Sequence, residues 1–106
     1  YGPDAYVHAS DIVVQHPEMM KSVFQPEVEV IFYRKYRKYV MQYIAPHDPR
    51  ICQLIATIGE PDDQARAKEI LHGFVEKKVM KEEEVEKGIK NMRRLVADLR
   101  RMGRVQ

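Results

Sequence analysis

Val30-Ile31-Phe32-Tyr33-Arg34-Lys35-Tyr36-Arg37-Lys38-Tyr39 is the stretch on which the reading of this chain turns. Placed on a wheel at about 100° per residue, Phe32, Tyr36, Tyr39, Val40 and Tyr43 share one face. Arg34, Arg37 and Lys38 occupy the opposite face, and Tyr33 and Ile44 lie on the boundary. That pattern predicts an amphipathic helix over residues 27–45, bounded by Pro26 before it and by Pro46 and Pro49 after it.

Working outward, Asp48 before Pro49 is a good N-cap and first-turn pair, so a short helix over 50–58 is expected, closed by Gly59. Pro61, Asp62 and Asp63 mark the next start, with acids that suit the positive end of a helix dipole. Ala67, Ile70, Leu71, Phe74 and Val75 then form an apolar stripe, which predicts a helix over 62–78. Glu82, Glu83 and Glu84 open a last helix over 82–102. Its stripe is Val85, Ile89, Met92, Leu95, Val96, Leu99 and Met102, and Gly103 stops it. Three long helices with a short last connection imply an all-α fold, a three-helix antiparallel bundle over 27–106 with a short extra helix in the first connection. Residues 1–26 read as an irregular N-terminal extension that holds one short helix from Pro17. Phe32, Tyr36, Tyr39, Ile70, Leu71, Phe74, Ile89, Met92, Leu95 and Leu99 are the expected interior.

The chain has 106 residues, which suits one domain with a modest core. Its formal charge is only +2, but the charge is unevenly placed. Up to Phe32 the one basic residue, Lys21, faces Asp4, Asp11, Glu18, Glu27 and Glu29. From Glu86 onward Lys87, Lys90, Arg93, Arg94, Arg100, Arg101 and Arg104 face only Glu86 and Asp98. An anionic partner for the basic parts follows, whether protein, phosphate or nucleic acid. The single cysteine, Cys52, excludes an internal disulfide. No apolar run has the length of a membrane-spanning helix. The opening at Tyr1 without methionine fits a removed presequence or a longer chain, although residues 1–21 are not Arg-rich and acid-free as a transit peptide would be.

Enzyme chemistry finds no foothold in the pattern. His8, His16, His47 and His72 are scattered, with no pair at metal-ligand spacing on one helix, and Cys52 has no second cysteine for a zinc site. There is no phosphate-cradling glycine loop and no serine in a nucleophile elbow. Glu82 to Glu84 read as a solvated helix start. The expectation is a non-enzyme that works by binding.

Phe32-Tyr33-Arg34, with Arg37 or Lys38 as the next basic residue, is followed by Ile70-Leu71-His72-Gly73-Phe74-Val75-Glu76-Lys77-Lys78. A charged last helix runs from Val85 through Leu95 and Leu99 to Arg101. This ordered set, over about three quarters of the chain, resembles the LYR-motif family of mitochondrial proteins, with Phe32 standing where the family has leucine. The resemblance implies a non-catalytic adaptor for the mitochondrial acyl carrier protein, working as an accessory subunit or assembly factor of a respiratory-chain or other large mitochondrial complex. It places the chain in the matrix or on the matrix side of the inner membrane. The chain would have no cofactor of its own, since the partner supplies an acyl-4'-phosphopantetheine arm. Phe32, Tyr33, Arg34, Arg37 and Lys38 would meet the acidic partner, and Tyr36, Tyr39, Tyr43, Ile70, Phe74 and Met92 would line the acyl chain. Two alternatives stay open without acyl carrier protein: a structural helical subunit, or a nucleic-acid-binding component of the mitochondrial ribosome. Against nucleic acid stand the low net charge and tyrosines that lie on the apolar arc rather than among the basic residues.

Overall fold

The computed structural model describes residues 25–106, and among them every regular element is helical and none is a strand. The expected N-terminal extension, short of Gln25 and Pro26, and the helix expected from Pro17 lie outside the described residues. Helix α1 spans Pro26–Lys35 and α2 is a single turn, Arg37–Tyr39. A π-helical turn, Val40–Ile44, and a 3-10 turn, Ala45–His47, lead to α3, Pro49–Ile58. Helices α4, Pro61–Glu76, and α5, Glu82–Arg101, complete the chain. None of these helices is long and apolar enough to cross a membrane.

The single helix expected over 27–45 is broken. Tyr36 leaves the helical region at φ −123°, ψ 42°, with no proline or glycine to force it. Tyr33 before the break and Arg37 after it both reach Asp63 at the start of α4, so a tertiary contact accompanies the bend. Further on, Pro46 lacks an amide hydrogen and its ring would strike the carbonyl one turn back. The chain widens into the π turn, where Ala45 N–H donates to the Val40 carbonyl, and then tightens to end. These breaks rotate the buried face. Tyr33 and Ile44, expected at the boundary, are buried at 3% and 2% exposure, whereas Tyr43 is 53% exposed.

Helix α3 is the centre of the packing. The Asp48 carboxylate caps it by accepting from Arg50 N at 3.0 Å and Ile51 N at 3.3 Å. Burial pushes the Asp48 carboxyl upward, against the pull of those two hydrogen bonds. Six of its ten residues are apolar or thiol-bearing, Ile51, Cys52, Leu54, Ile55, Ala56 and Ile58, and they cover a broad arc of the helix, with Arg50, Gln53 and Thr57 grouped on the other side. An apolar arc that wide can pack on two neighbours at once. One side of α3 joins Phe32, Tyr33, Val40, Ile44, Ala67 and Leu71 in a first cluster. Leu54 joins Val30, Met92, Val96, Leu99 and Val105 in a second, and Ile58 packs on both. Helices α4 and α5 each pack against α3 more than against each other. The arrangement therefore differs from three long helices in sequence order around one interior, because the short connection carries the most apolar segment. Leu95, expected in the core, is 39% exposed.

Two chain reversals close the long helices. After α4, Val79 N donates to the Phe74 carbonyl at 2.9 Å and Lys78 N to Val75 at 3.0 Å, with Lys78 in the left-handed region at φ 60°. After α5, Arg104 N donates to Leu99 at 2.9 Å and Gly103 N to Arg100 at 3.0 Å, with Gly103 at φ 73°. Gly103 ends the last helix as its position predicts, and Val105 folds back into the second cluster at 7% exposure.

Candidate functional site: a cationic cleft beside the first helix

The basic residues of α1 and α2 do not form one face. Arg37 turns to α4, where its Nε donates to Asp63 Oδ2 at 2.5 Å. Tyr33 donates its hydroxyl hydrogen to the same oxygen at 2.6 Å and accepts from the Glu60 amide at 3.0 Å. Asp63 itself sits in the first turn of α4, in the favourable field of the helix start. Burial, and then the hydrogen bond to Asp63, push the Tyr33 phenol up to about 12. The hydrogen bond to Asp63 likewise pushes the Arg37 guanidinium upward. Tyr33 and Arg37, expected at a partner surface, therefore hold the first helix to the fourth. Reversing the charge of Arg37 would set two carboxylates against each other and loosen this junction.

Arg34 goes the other way, toward the end of α5. Its Nη2 donates to the Gln106 main-chain oxygen at 2.8 Å, and Arg100 Nε reaches the same oxygen at 3.4 Å. Between α1 and residues 103–106 lies an open cleft of about 530 Å³. Arg34, Lys35 and Arg104 supply its charge, and Val30, Ile31 and Val105 its apolar floor. Ile31 is 62% exposed. No acidic side chain lines the cleft, although Glu27 pairs with Arg104 at 3.4 Å. Lys35 also stands 5.5 Å over the Tyr36 ring. Lys38 is exposed, with no ion pair among the described residues.

The residues expected along an acyl chain divide as follows. Tyr36, Tyr39, Ile70 and Phe74 are half-buried and pack on the first cluster together, as does fully buried Phe32. Phe32 stacks on Tyr36 with ring centres 4.8 Å apart, and Tyr39 on exposed Tyr43 at 5.1 Å. Met92 belongs to the second cluster, across α3 from the others. A second cleft, of about 550 Å³, lies at the α4–α5 turn and mixes Lys78 and Lys81 with Glu82, Glu83 and Glu84. None of the six expected acyl-chain residues lines either cleft.

Cys52 donates its thiol hydrogen to the Ala45 carbonyl at 3.0 Å, and burial pushes the thiol up to about 12, so it stays protonated and structural. Among the described residues no three His, Cys, Asp or Glu side chains gather as a metal site would need. Arg100 and Arg104 were not singled out by the motif reading as site residues. The signal available for them was the apolar Val105 two residues after the helix-ending glycine, a spacing that folds a tail back onto its helix. No family model, curated protein or solved structure matches the chain.

Proposed function

We propose that this chain is a non-catalytic helical adaptor of the LYR-motif kind, which docks the acidic acyl carrier protein as part of a larger mitochondrial assembly. In this reading α1, α4 and α5 correspond to the family's three helices, with α3 added to the interior. The observation that supports it best is the cleft in which Arg34, Lys35 and Arg104 surround an apolar floor with no acidic side chain in its lining. A protein that offers carboxylates and an apolar chain answers both halves of that surface. Arg34 and Arg104 present planar guanidinium groups suited to carboxylate or phosphate. The half-buried edge formed by Tyr36, Tyr39, Ile70 and Phe74 is the place where an acyl chain would enter the first cluster. Each methylene buried there contributes about 0.8 kcal/mol. The partner contributes the phosphopantetheine arm and this chain contributes the cationic surface.

The test is co-purification from mitochondria with intact-mass measurement. Capture of an acidic protein of similar size, carrying a phosphopantetheine adduct, is the expected result. A folded bait that captures no such protein, but shows a salt-sensitive complex with mixed nucleic acid, would overturn it.

A further inference from the structure

We propose that the outer face of α5 is a contact surface for an anionic lipid bilayer, seated with its Arg94–Met102 end deepest. Lys87, Arg94 and Arg101 stand seven residues apart, and so do Gly88, Leu95 and Met102. Seven residues fall within about 20° of two full turns, so these positions make two parallel rows, one cationic and one apolar. Lys90 stands beside the cationic row. The apolar row is closed at its first step, where a Cβ on Gly88 would run into the Gln53 amide of α3. Beyond that step the row is open, with Leu95 39% and Met102 59% exposed. The core side of the helix is supplied separately by Met92, Val96 and Leu99 in the second cluster. Helix α5 thus carries a second apolar edge, in contact with water and flanked by cations.

The charge on this face is available. Among the described residues Lys87, Lys90 and Arg94 are exposed and make no ion pair, whereas Arg37, Arg66 and Arg104 are held by Asp63, Glu69 and Glu27. Asp98, between the two rows, is balanced by Arg101. A site for one carboxylate gathers its cations around a point. Here they are strung along about 21 Å of helix. A bilayer with anionic headgroups answers both rows at every point, with phosphates for the cations and acyl chains for Leu95 and Met102. A nucleic-acid backbone would satisfy the cations and leave Leu95 and Met102 in water. No helix among the described residues is long and apolar enough to cross a membrane, so the contact lies in the plane of the interface. Glu82, Glu83, Glu84 and Glu86 open the helix and are repelled by an anionic surface, which tips the other end inward. None of the two rows' residues, nor Lys90, lines the cleft beside α1, so this contact does not depend on acyl carrier protein.

The experiment sediments the full chain with vesicles of phosphatidylcholine, or of equal parts phosphatidylcholine and phosphatidylglycerol. Binding to the mixed vesicles should be at least tenfold tighter than to phosphatidylcholine alone, and should weaken as salt rises. Lys87→Gln/Lys90→Gln/Arg94→Gln should lose at least tenfold and Met102→Ser severalfold, each with an unchanged circular dichroism spectrum. The chain has no tryptophan, so a single introduced one reports depth. The emission of Met102→Trp should move to the blue on mixed vesicles and be quenched by brominated lipid. Val79→Trp, exposed at the turn before the acidic end of α5, should keep its emission in water. This pair reads the contact even where the triple variant fails to fold. A chain that stays in solution with the mixed vesicles would overturn the proposal, as would undiminished binding by the folded triple variant. A Val79→Trp signal that shifts as far as that of Met102→Trp would overturn the seating. Retention of the chain on mixed-sequence RNA but not on vesicles would assign the cations to a phosphate backbone and overturn the bilayer as partner.

Discussion

Replacing Tyr33 with phenylalanine removes one oxygen and nothing else, and the structure gives that oxygen two partners. Its hydroxyl donates to Asp63 Oδ2 at 2.6 Å and accepts from Glu60 N at 3.0 Å. A hydrogen bond to a charged group contributes about 1.5–3 kcal/mol and a neutral one about 0.5–1.5 kcal/mol, so Tyr33→Phe should destabilise the fold by roughly 2–4 kcal/mol. Arg37 still pairs with Asp63 in the variant, which favours the lower half of that range. A pH signature accompanies the loss. The Tyr33 phenol has a folded-state value of about 12 against an ordinary value of 10.0. Its stabilising contribution is thus fully present below pH 10 and is lost as pH rises through 12. Urea unfolding followed by circular dichroism, in wild type and Tyr33→Phe from pH 7 to 11.5, measures both effects. The stability gap between the two proteins should be widest near neutrality and narrow above pH 10. A gap below about 0.5 kcal/mol at pH 7, or one that stays constant to pH 11.5, would refute the assignment of Tyr33 and Asp63 as the contact that fixes α1 on α4.

Other consequences follow from the same packing. Leu54→Ala, at 1% exposure on central α3, should cost about 3–5 kcal/mol in the same unfolding assay. Leu95→Ala on half-open α5 should cost under about 1 kcal/mol, and the reverse order would restore the three-helix interior expected from the stripes. Lys78→Gly relieves a left-handed lysine and should raise stability by about 1 kcal/mol, while Gly103→Ala should lower it by a similar amount. Thermal midpoints that moved in the same direction for both would contradict the two helix-end geometries. Gly59→Ala should destabilise by more than about 1 kcal/mol, because a Cβ there would meet the Ile55 carbonyl at 2.5 Å and the Tyr33 hydroxyl at 3.1 Å. An unchanged midpoint would show that this turn is looser than described.

Much of the fold could be read directly from local chemistry. Asp48-Pro49, Pro61 with its acids, Glu82 to Glu84 and Gly103 mark helix ends through capping, dipole and backbone preference, and the helices begin and end within two residues of those signals. What escaped was decided by contacts far apart in sequence. The bend at Tyr36 has no local breaker, and its correlate is Asp63, more than twenty-five residues away in the chain. The central place of α3 was not legible in its own wheel, because a short amphipathic helix reads as a connection, and what makes it central is that its broad apolar arc meets both α4 and α5. The division of the basic residues has the same origin: Arg34 and Arg37 stand three apart, yet the bend and the returning tail send them to opposite neighbours. The cleft needed Val105 to fold back beside Ile31, which a wheel drawn for one helix at a time does not display.

Titration calorimetry of the full chain with holo and acyl-loaded acyl carrier protein, at low and high salt, tests the central claim most directly. The account predicts binding that weakens as salt rises. It predicts tighter binding for the acyl-loaded form than for the holo form, by about 0.8 kcal/mol for each methylene that becomes buried. It also predicts a loss of at least tenfold in the Arg34→Gln/Arg104→Gln variant, which removes both charges without setting a carboxylate against Glu27, with helix content unchanged. A folded wild-type chain that gives no heat with either form of the partner, or a double variant that binds as wild type does, would contradict it.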